Sequence, residues 1–184
     1  MSESSREHLR FAAEHAGDHP ARCAVLTVSD TRTPETDKGG PLIARLLSDS
    51  GHQVAGQAIV PDEPAAISDQ LQRWVADPDI RAIITTGGTG ISPRDSTIEI
   101  ARALLTIEIE GFGELFRVLS FQQVKAAAML SRALAGLVIR EPEAGGDTFI
   151  FALPGSVNAI ETAMSNLILP QLPHLIWERS KRNR

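Results

Sequence analysis

From Ile83 to Thr97 the chain reads Ile83-Ile84-Thr85-Thr86-Gly87-Gly88-Thr89-Gly90-Ile91-Ser92-Pro93-Arg94-Asp95-Ser96-Thr97, an apolar run that breaks into glycines and then into an acidic helix start. A buried strand delivers an anion-binding turn in this way. Without a Cβ, glycine lets backbone N–H groups come close to a phosphate, and the N-terminus of the following helix adds partial positive charge. Asp95 then stands where a carboxylate could hold a metal or a nucleophile beside that anion. The turn by itself is also ordinary strand-to-helix turn chemistry. Two familiar phosphate loops are excluded by the residues: there is no Gly-x-x-x-x-Gly-Lys-Ser/Thr, and Gly87-Gly88-Thr89-Gly90 lacks the spacing of the dinucleotide fingerprint.

The elements that must position this turn follow from hydrophobic periodicity. Cys23 to Val28 predicts a first strand ending in the polar turn Ser29-Asp30-Thr31-Arg32. Pro41 to Ser50 predicts a helix with Leu42, Ile43, Leu46 and Leu47 on one face and Gly51 as its stop. Val54 to Val60 predicts a second strand, followed by Asp62 as a helix cap, Pro64 in the first turn and a stripe of Ile67, Leu71, Trp74 and Val75. Arg81 to Thr86 is the third strand, with the glycine turn at its end.

Thr97 to Leu105, Gly113 to Leu119 and Gln122 to Leu130 then read as helices, with Ser96 or Thr97 as a cap for the first of them. Leu134 to Arg140 and Thr148 to Leu153 read as strands joined too closely for a parallel crossover, so they predict an antiparallel pair. Val157 to Leu169 is a last helix, opened by Pro154-Gly155-Ser156 and ended by Pro170 and Pro173. The expected architecture is a doubly wound α/β fold with a mostly parallel sheet, one antiparallel strand and helices on both faces. Ligands of such folds bind outside the carboxyl ends of the strands. Asp30, Asp62, the Gly87 to Asp95 segment and Pro154-Gly155-Ser156 each follow a strand, so four polar turns share one edge. For Asp62 taken alone, helix capping is the simpler reading.

Composition narrows the function classes. A chain of 184 residues is sized for one domain with a sizeable core. A net charge of -5 leaves no basic footprint for nucleic acid. No stretch approaches the apolar length of a membrane helix, and residues 1–20 form a polar leader with no apolar signal region, which reads either as a short amphipathic helix around Leu9 to His15 or as disordered. His8, His15 and His19 lack the spacing of a metal site. The one cysteine, Cys23, excludes an intrachain disulfide, which predicts a reducing, cytoplasmic setting. The expected division is the leader 1–20, a single domain over 21–177 and a basic tail over 178–184.

Six ordered blocks carry a resemblance: Leu26-Thr27-Val28-Ser29-Asp30-Thr31-Arg32, Val60-Pro61-Asp62-Glu63, Thr86-Gly87-Gly88-Thr89-Gly90 with Pro93-Arg94-Asp95, Gly111-Phe112-Gly113-Glu114, Met129-Leu130-Ser131-Arg132 and Leu153-Pro154-Gly155-Ser156. Together they resemble the MogA/MoaB molybdenum cofactor biosynthesis family, from about Ala24 to Trp177, with the leader and the Gly111 to Arg117 block closer to the MoaB branch. The resemblance implies a molybdopterin-binding domain. Its catalytically active members use Mg-ATP to adenylylate the terminal phosphate of molybdopterin, with release of pyrophosphate.

By that resemblance Asp62 and Asp95 are the catalytic and Mg2+-holding carboxylates. Ser29, Asp30, Gly87, Gly88, Thr89, Gly90, Glu114, Ser131, Arg132, Pro154, Gly155 and Ser156 border the substrates, and ATP is the co-substrate. Glu114, Ser131 and Arg132 also admit plainer readings as a surface ion pair or a helix-end cap, and Arg94 as a phosphate ligand or a partner of Asp95. The resemblance further implies a homotrimer or a hexamer of trimers, with the Gly113 to Val124 region and the last helix as contacts, and a downstream molybdenum-insertion protein as partner. Phe112, Phe116 and Phe121 read either as an apolar patch for assembly or as core.

Two departures stand out. Ser96-Thr97-Ile98 replaces the family's Val-Thr-Pro after Asp95, and Gln123-Val124-Lys125 replaces a stretch where a glycine is common before the Ala-Met-Leu-Ser-Arg run. Beside the enzyme stands a second class of function, a non-catalytic pterin-binding scaffold of the same fold.

Overall fold

A computed structural model describes residues 20–141 and 145–180. The expected leader helix around Leu9 to His15 and the end of the basic tail lie outside these residues. Strands β1 (Arg22–Val28), β2 (Gln53–Val60), β3 (Ile80–Thr86), β4 (Ile107–Glu108), β5 (Leu134–Val138) and β6 (Thr148–Leu153) form one sheet in the order β2-β1-β3-β6-β5-β4. β2, β1, β3 and β6 are mutually parallel, whereas β5 runs antiparallel to both β6 and β4. The sheet is therefore mostly parallel with one reversed strand. The two-residue β4, too short to carry a period, is an addition that the sequence pattern does not show.

The helices are α1 (Gly39–Asp49), α2 (Pro64–Ala76), α3 (Thr97–Leu104), α4 (Glu110–Val124), α5 (Val157–Ala163) and α6 (Leu169–Ser180). Alternation along the buried strands sends successive side chains to two cores. Val25, Ile84 and Phe151 meet Ile43 and Leu47 of α1, Phe116 of α4 and Ile160 of α5 on one face. Leu26, Ile83 and Ile150 meet Ile67 and Leu71 of α2 and Ile98 of α3 on the other. Cys23 is completely buried among them, and burial pushes its thiol up to about 12, which leaves it an inert apolar group.

Four expectations are corrected. The helices expected at Gly113 to Leu119 and Gln122 to Leu130 are one α-helix, α4, followed by a 3-10 turn over Lys125–Leu130. Ser120 and Phe121, left between the two expected helices, lie inside α4. The helix expected to stop at Pro170 instead widens into a π-turn over Met164–Ile168 and continues as α6, with Pro173 inside it. A wider turn just before Pro170 relieves the clash that its ring would make with an α-helical carbonyl four residues earlier. Glu178 to Ser180, read as the start of a tail, belong to this helix. Finally, Asp62 does not cap α2: the cap position is Glu63, without a side-chain hydrogen bond, and Pro64 holds the first turn. Gly51 does stop α1, at φ +82°.

Strand order reverses between β1 and β3, because the chain leaves β1 outward to β2 and returns to the far side of β1. Such a switch point opens a crevice at the carboxyl edge.

Candidate active site

The turns after β1, β2, β3 and β6 meet at that edge. After β1, Ser29 Oγ accepts from the N–H groups of Thr31 and Arg32 at 3.2 and 3.3 Å, shaping a tight polar turn. Asp30 Oδ1 accepts from Asp62 N–H at 3.1 Å, which ties the β1 turn to the β2 turn. Arg94 closes the other side: its guanidinium reaches the Asp30 carboxylate at 3.0 Å and Glu63 at 3.5 Å. Its partners are thus Asp30 and Glu63 rather than Asp95.

The glycine turn is built by close approach. Gly87 has φ +95°, and a Cβ on it would sit 2.2 Å from Val28 O, inside the backbone of β1. Gly88 has φ +61°, and its Cβ would stand 2.3 Å from Thr97 Oγ1 and 3.0 Å from Asp62 Oδ1. At Gly90 the obstacle would be Asp95 Oδ2, at 2.7 Å. Backbone hydrogen bonds pin the ends: Gly87 N–H to Leu153 O at 3.1 Å, and Thr97 N–H to Gly88 O at 3.0 Å. Between those ends, among the described residues, the amides of Gly88, Thr89 and Gly90 donate to no protein group. Three successive amides left without acceptors are donors of the kind that an anion-binding turn uses.

Arg132 braces this turn from beneath. Its Nε donates to Thr89 O at 2.9 Å, one terminal nitrogen donates to Asp95 O at 3.3 Å, and the guanidinium pairs with Glu99 of α3. The Arg132 hydrogen bond holds the Glu99 carboxyl below its usual range. The Arg132 guanidinium is thus engaged by protein groups on the turn and on α3. The sequence pattern carried no signal for Glu99, because nothing local to α3 shows that an arginine 33 positions later folds back onto it.

On the β6 side, Pro154 O accepts from Thr86 Oγ1 at 3.1 Å, Gly155 lies against Gly87, and Ser156 caps α5 by accepting from Ala159 N–H at 3.2 Å. The structure thus joins Ser29, Asp30, Asp62, Gly87 to Gly90, Asp95, Arg132 and Pro154 to Ser156 at one edge. Ser131 comes only as the neighbour of Arg132, with its N–H on Ala128 O. Glu114 lies on the exposed side of α4, with no hydrogen bond or ion pair to the turn among the described residues.

The two carboxylates differ. Asp95 is anchored, Oδ2 accepting from Ser92 N–H at 2.8 Å. Asp62 is half-buried, and its Oδ1 is shut from solvent without a hydrogen-bond partner. Burial first, then the charges of Asp95 and Asp30, raise the Asp62 carboxyl above the ordinary aspartate range, against the lowering pull of Arg94. Ser96 Oγ and Thr97 Oγ1, at the start of α3, are likewise buried and unpartnered. Polar atoms normally find partners when buried, so this concentration of unpaired oxygens marks a site awaiting a ligand. The donor set is oxygen throughout, which suits a hard divalent cation held by one or two carboxylates that keeps waters and phosphate oxygens. Among the described residues no group of three or more His, Cys, Asp or Glu side chains forms a complete protein cage. Beside Ser29 and Asp30, a groove of about 680 Å³ opens between the segment following β1 and strand β2, with Thr27, Asp37 and Gln57 among its lining.

Known proteins place this arrangement in a family. Residues 24–174 match the MoCF_biosynth family, described as "Probable molybdopterin binding domain". The molybdenum cofactor biosynthesis protein B of Staphylococcus carnosus is 54% identical over 167 residues, 89% of this chain and 94% of the relative. A crystal structure of a molybdenum cofactor biosynthesis protein B superposes with TM-score 0.82 at 43% identity, covering 89% of this chain and 98% of that one. The tungsten cofactor synthesizing protein MoaB from Pyrococcus furiosus superposes with TM-score 0.73 at 36% identity, over 87% of this chain and 97% of that one. With the glycine turn, the two aspartates and the switch-point edge all inside the matched span, the chain belongs to the MogA/MoaB family of molybdopterin-binding domains, on its MoaB side.

Proposed function

We propose that this protein takes part in molybdenum cofactor biosynthesis by transferring the adenylyl group of Mg-ATP to the terminal phosphate of molybdopterin. A phosphate oxygen of molybdopterin forms the new bond to the α-phosphorus of ATP, the bond from that phosphorus to the bridging oxygen breaks, and pyrophosphate leaves. The observation that carries this reading is the run of free amides at Gly88, Thr89 and Gly90 beside two carboxylates, Asp62 and Asp95. Two polyanions must be brought together, so amide donors and a divalent charge are both needed to offset their repulsion.

In this reading the amides of the turn receive a phosphate, and Asp95, fixed by Ser92 N–H, presents its other oxygen to the cation. Asp62 supplies the second carboxylate through its unpaired oxygen. Bound Mg2+ would polarise the phosphoryl group and neutralise charge on the departing pyrophosphate. The groove beside Ser29 and Asp30, within the size range of small-molecule sites, gives room for one of the two ring systems. Arg132 and Glu99 keep the turn in place during transfer.

Assembly is part of the proposal. Leu115, Val118, Phe121 and Val124 of α4, with Met129 and Leu130 after it, leave large apolar side chains exposed. A second copy of this chain, in a homotrimer or a hexamer of trimers, would cover them. Phe112 and Phe116 are core residues and take no part in this surface. The scaffold alternative keeps molybdopterin binding without transfer. Incubating the full chain with molybdopterin and Mg-ATP and weighing the products by mass spectrometry separates them: adenylylated pterin and pyrophosphate support the enzyme, and unchanged pterin that still binds the protein supports the scaffold.

A further inference from the structure

Thr97 is the first residue of α3 and is completely buried, yet its Oγ1 has no hydrogen-bond partner. A threonine in a first helical turn ordinarily caps the helix or bonds back to its own backbone. Thr97 does neither. Its position is nonetheless over-determined: its N–H holds Gly88 O at 3.0 Å, and its Oγ1 stands within 2.3 Å of the point where a Gly88 Cβ would lie. Asp62 Oδ1, another unpaired oxygen, approaches the same point to 3.0 Å from the β2 side. Two buried oxygens from different elements thus flank the one glycine whose lack of a side chain lets them converge.

Keeping an unpaired hydroxyl in a core is costly when valine has nearly the same shape, unless the oxygen is used. What both oxygens can share is a hard cation, since a Ser or Thr hydroxyl together with an aspartate is a recurrent way of holding Mg2+ at phosphates. Resting on the two-carboxylate reading above, we propose that the Thr97 hydroxyl is a third protein oxygen of the divalent-cation site formed with Asp62 and Asp95. The backbone bond from Thr97 to Gly88 then makes cation binding and the shape of the amide turn a single unit.

The test uses the full chain, Mn2+ alone as probe, and free Mn2+ counted by electron paramagnetic resonance. Thr97→Val should weaken Mn2+ binding by about tenfold or more, and Thr97→Ser should stay within about threefold of wild type because it keeps the hydroxyl. In the absence of metal, Thr97→Val should melt at or above the wild-type temperature, since it removes an unpaired buried polar atom. Wild-type affinity in Thr97→Val, alongside lost affinity in Asp62→Asn, would overturn the Thr97 assignment while leaving the aspartates in place. Unchanged affinity in both Asp62→Asn and Asp95→Asn would instead overturn the two-carboxylate reading. A Thr97→Val protein that fails to fold, or melts more than about 3 °C lower, would show a structural partner for the hydroxyl and overturn the proposal, as would Thr97→Ser losing Mn2+ as fully as Asp62→Asn does.

Discussion

Asp62 and Asp95 face the same crevice but are held in different ways, and the difference sets what each substitution should do. Asp95 keeps one oxygen on Ser92 N–H, a bond that an asparagine oxygen can also accept, so Asp95→Asn preserves the anchor and removes charge. Turnover should fall by about a hundredfold or more while molybdopterin affinity changes little, because the lost interaction acts on charge developing in the transition state. Steady-state kinetics beside calorimetry check this. Asp62 has a carboxyl raised by burial and by its acidic neighbours, so the folded state holds its proton to higher pH than the unfolded chain does. Stability must therefore fall as pH rises from the unfolded value through the folded one, and the penalty is fully present above the folded value. Asp62→Asn should accordingly be at least as stable as wild type at neutral pH, with the gap closing on acidification into the carboxylate range, although it should lose the proposed transfer activity. Denaturant unfolding at neutral and acidic pH measures the gap; a destabilised Asn variant at neutral pH would contradict this account of Asp62. Neither the orphaned oxygen of Asp62 nor the fold-back of Arg132 onto Thr89 was legible in the sequence, since both depend on contacts between segments dozens of residues apart.

At the scale of elements, the parallel strands and the helices facing them were legible because period-2 and period-3.6 patterns are local. The failures had local causes too. Ser120 and Phe121, between two segments read as separate helices, continue a single helix, and the prolines near the C-terminus are accommodated by a π-turn that no simple pattern announces. One departure noticed in the sequence has a clear structural consequence. Lys125, the last residue of the Gln123-Val124-Lys125 stretch in which the family resemblance implies a glycine, adopts φ +53° and ψ -134° at the junction between α4 and the 3-10 turn, a conformation that favours glycine. Its ammonium reaches only Gln122 O at 3.3 Å and the Phe121 ring at 5.8 Å, weak returns for the strain. Strain of this kind costs about 1–3 kcal/mol, and the greater chain entropy of unfolded glycine offsets about 0.5–1 kcal/mol of the gain. Lys125→Gly should raise stability by about 1 kcal/mol in denaturant unfolding, and a loss would mean that the lysine contacts outweigh the backbone.

For the molecule as a whole, strand order 2-1-3-6 brings four turns to one edge, and that convergence was predictable from the placement of polar residues after each strand. The outer face of α4 was less legible: of three phenylalanines that read either as one patch or as core, two are core and only Phe121 is exposed, because a helix sends residues at different offsets to opposite sides. If a second copy covers the stripe, replacing Leu115 and Val118 together by glutamate should shift the protein to a monomer in sedimentation equilibrium without unfolding it. A wild-type protein that is already monomeric at micromolar concentration would contradict the proposed assembly. The central claim concerns chemistry at the shared edge, and one assay addresses it most directly. Wild type, Asp95→Asn and Asp62→Asn are each mixed with molybdopterin and Mg-ATP, and the products are followed by mass spectrometry. The account predicts adenylylated molybdopterin with one pyrophosphate per turnover from wild type only, and wild type that binds molybdopterin yet forms no adenylylated product would contradict it.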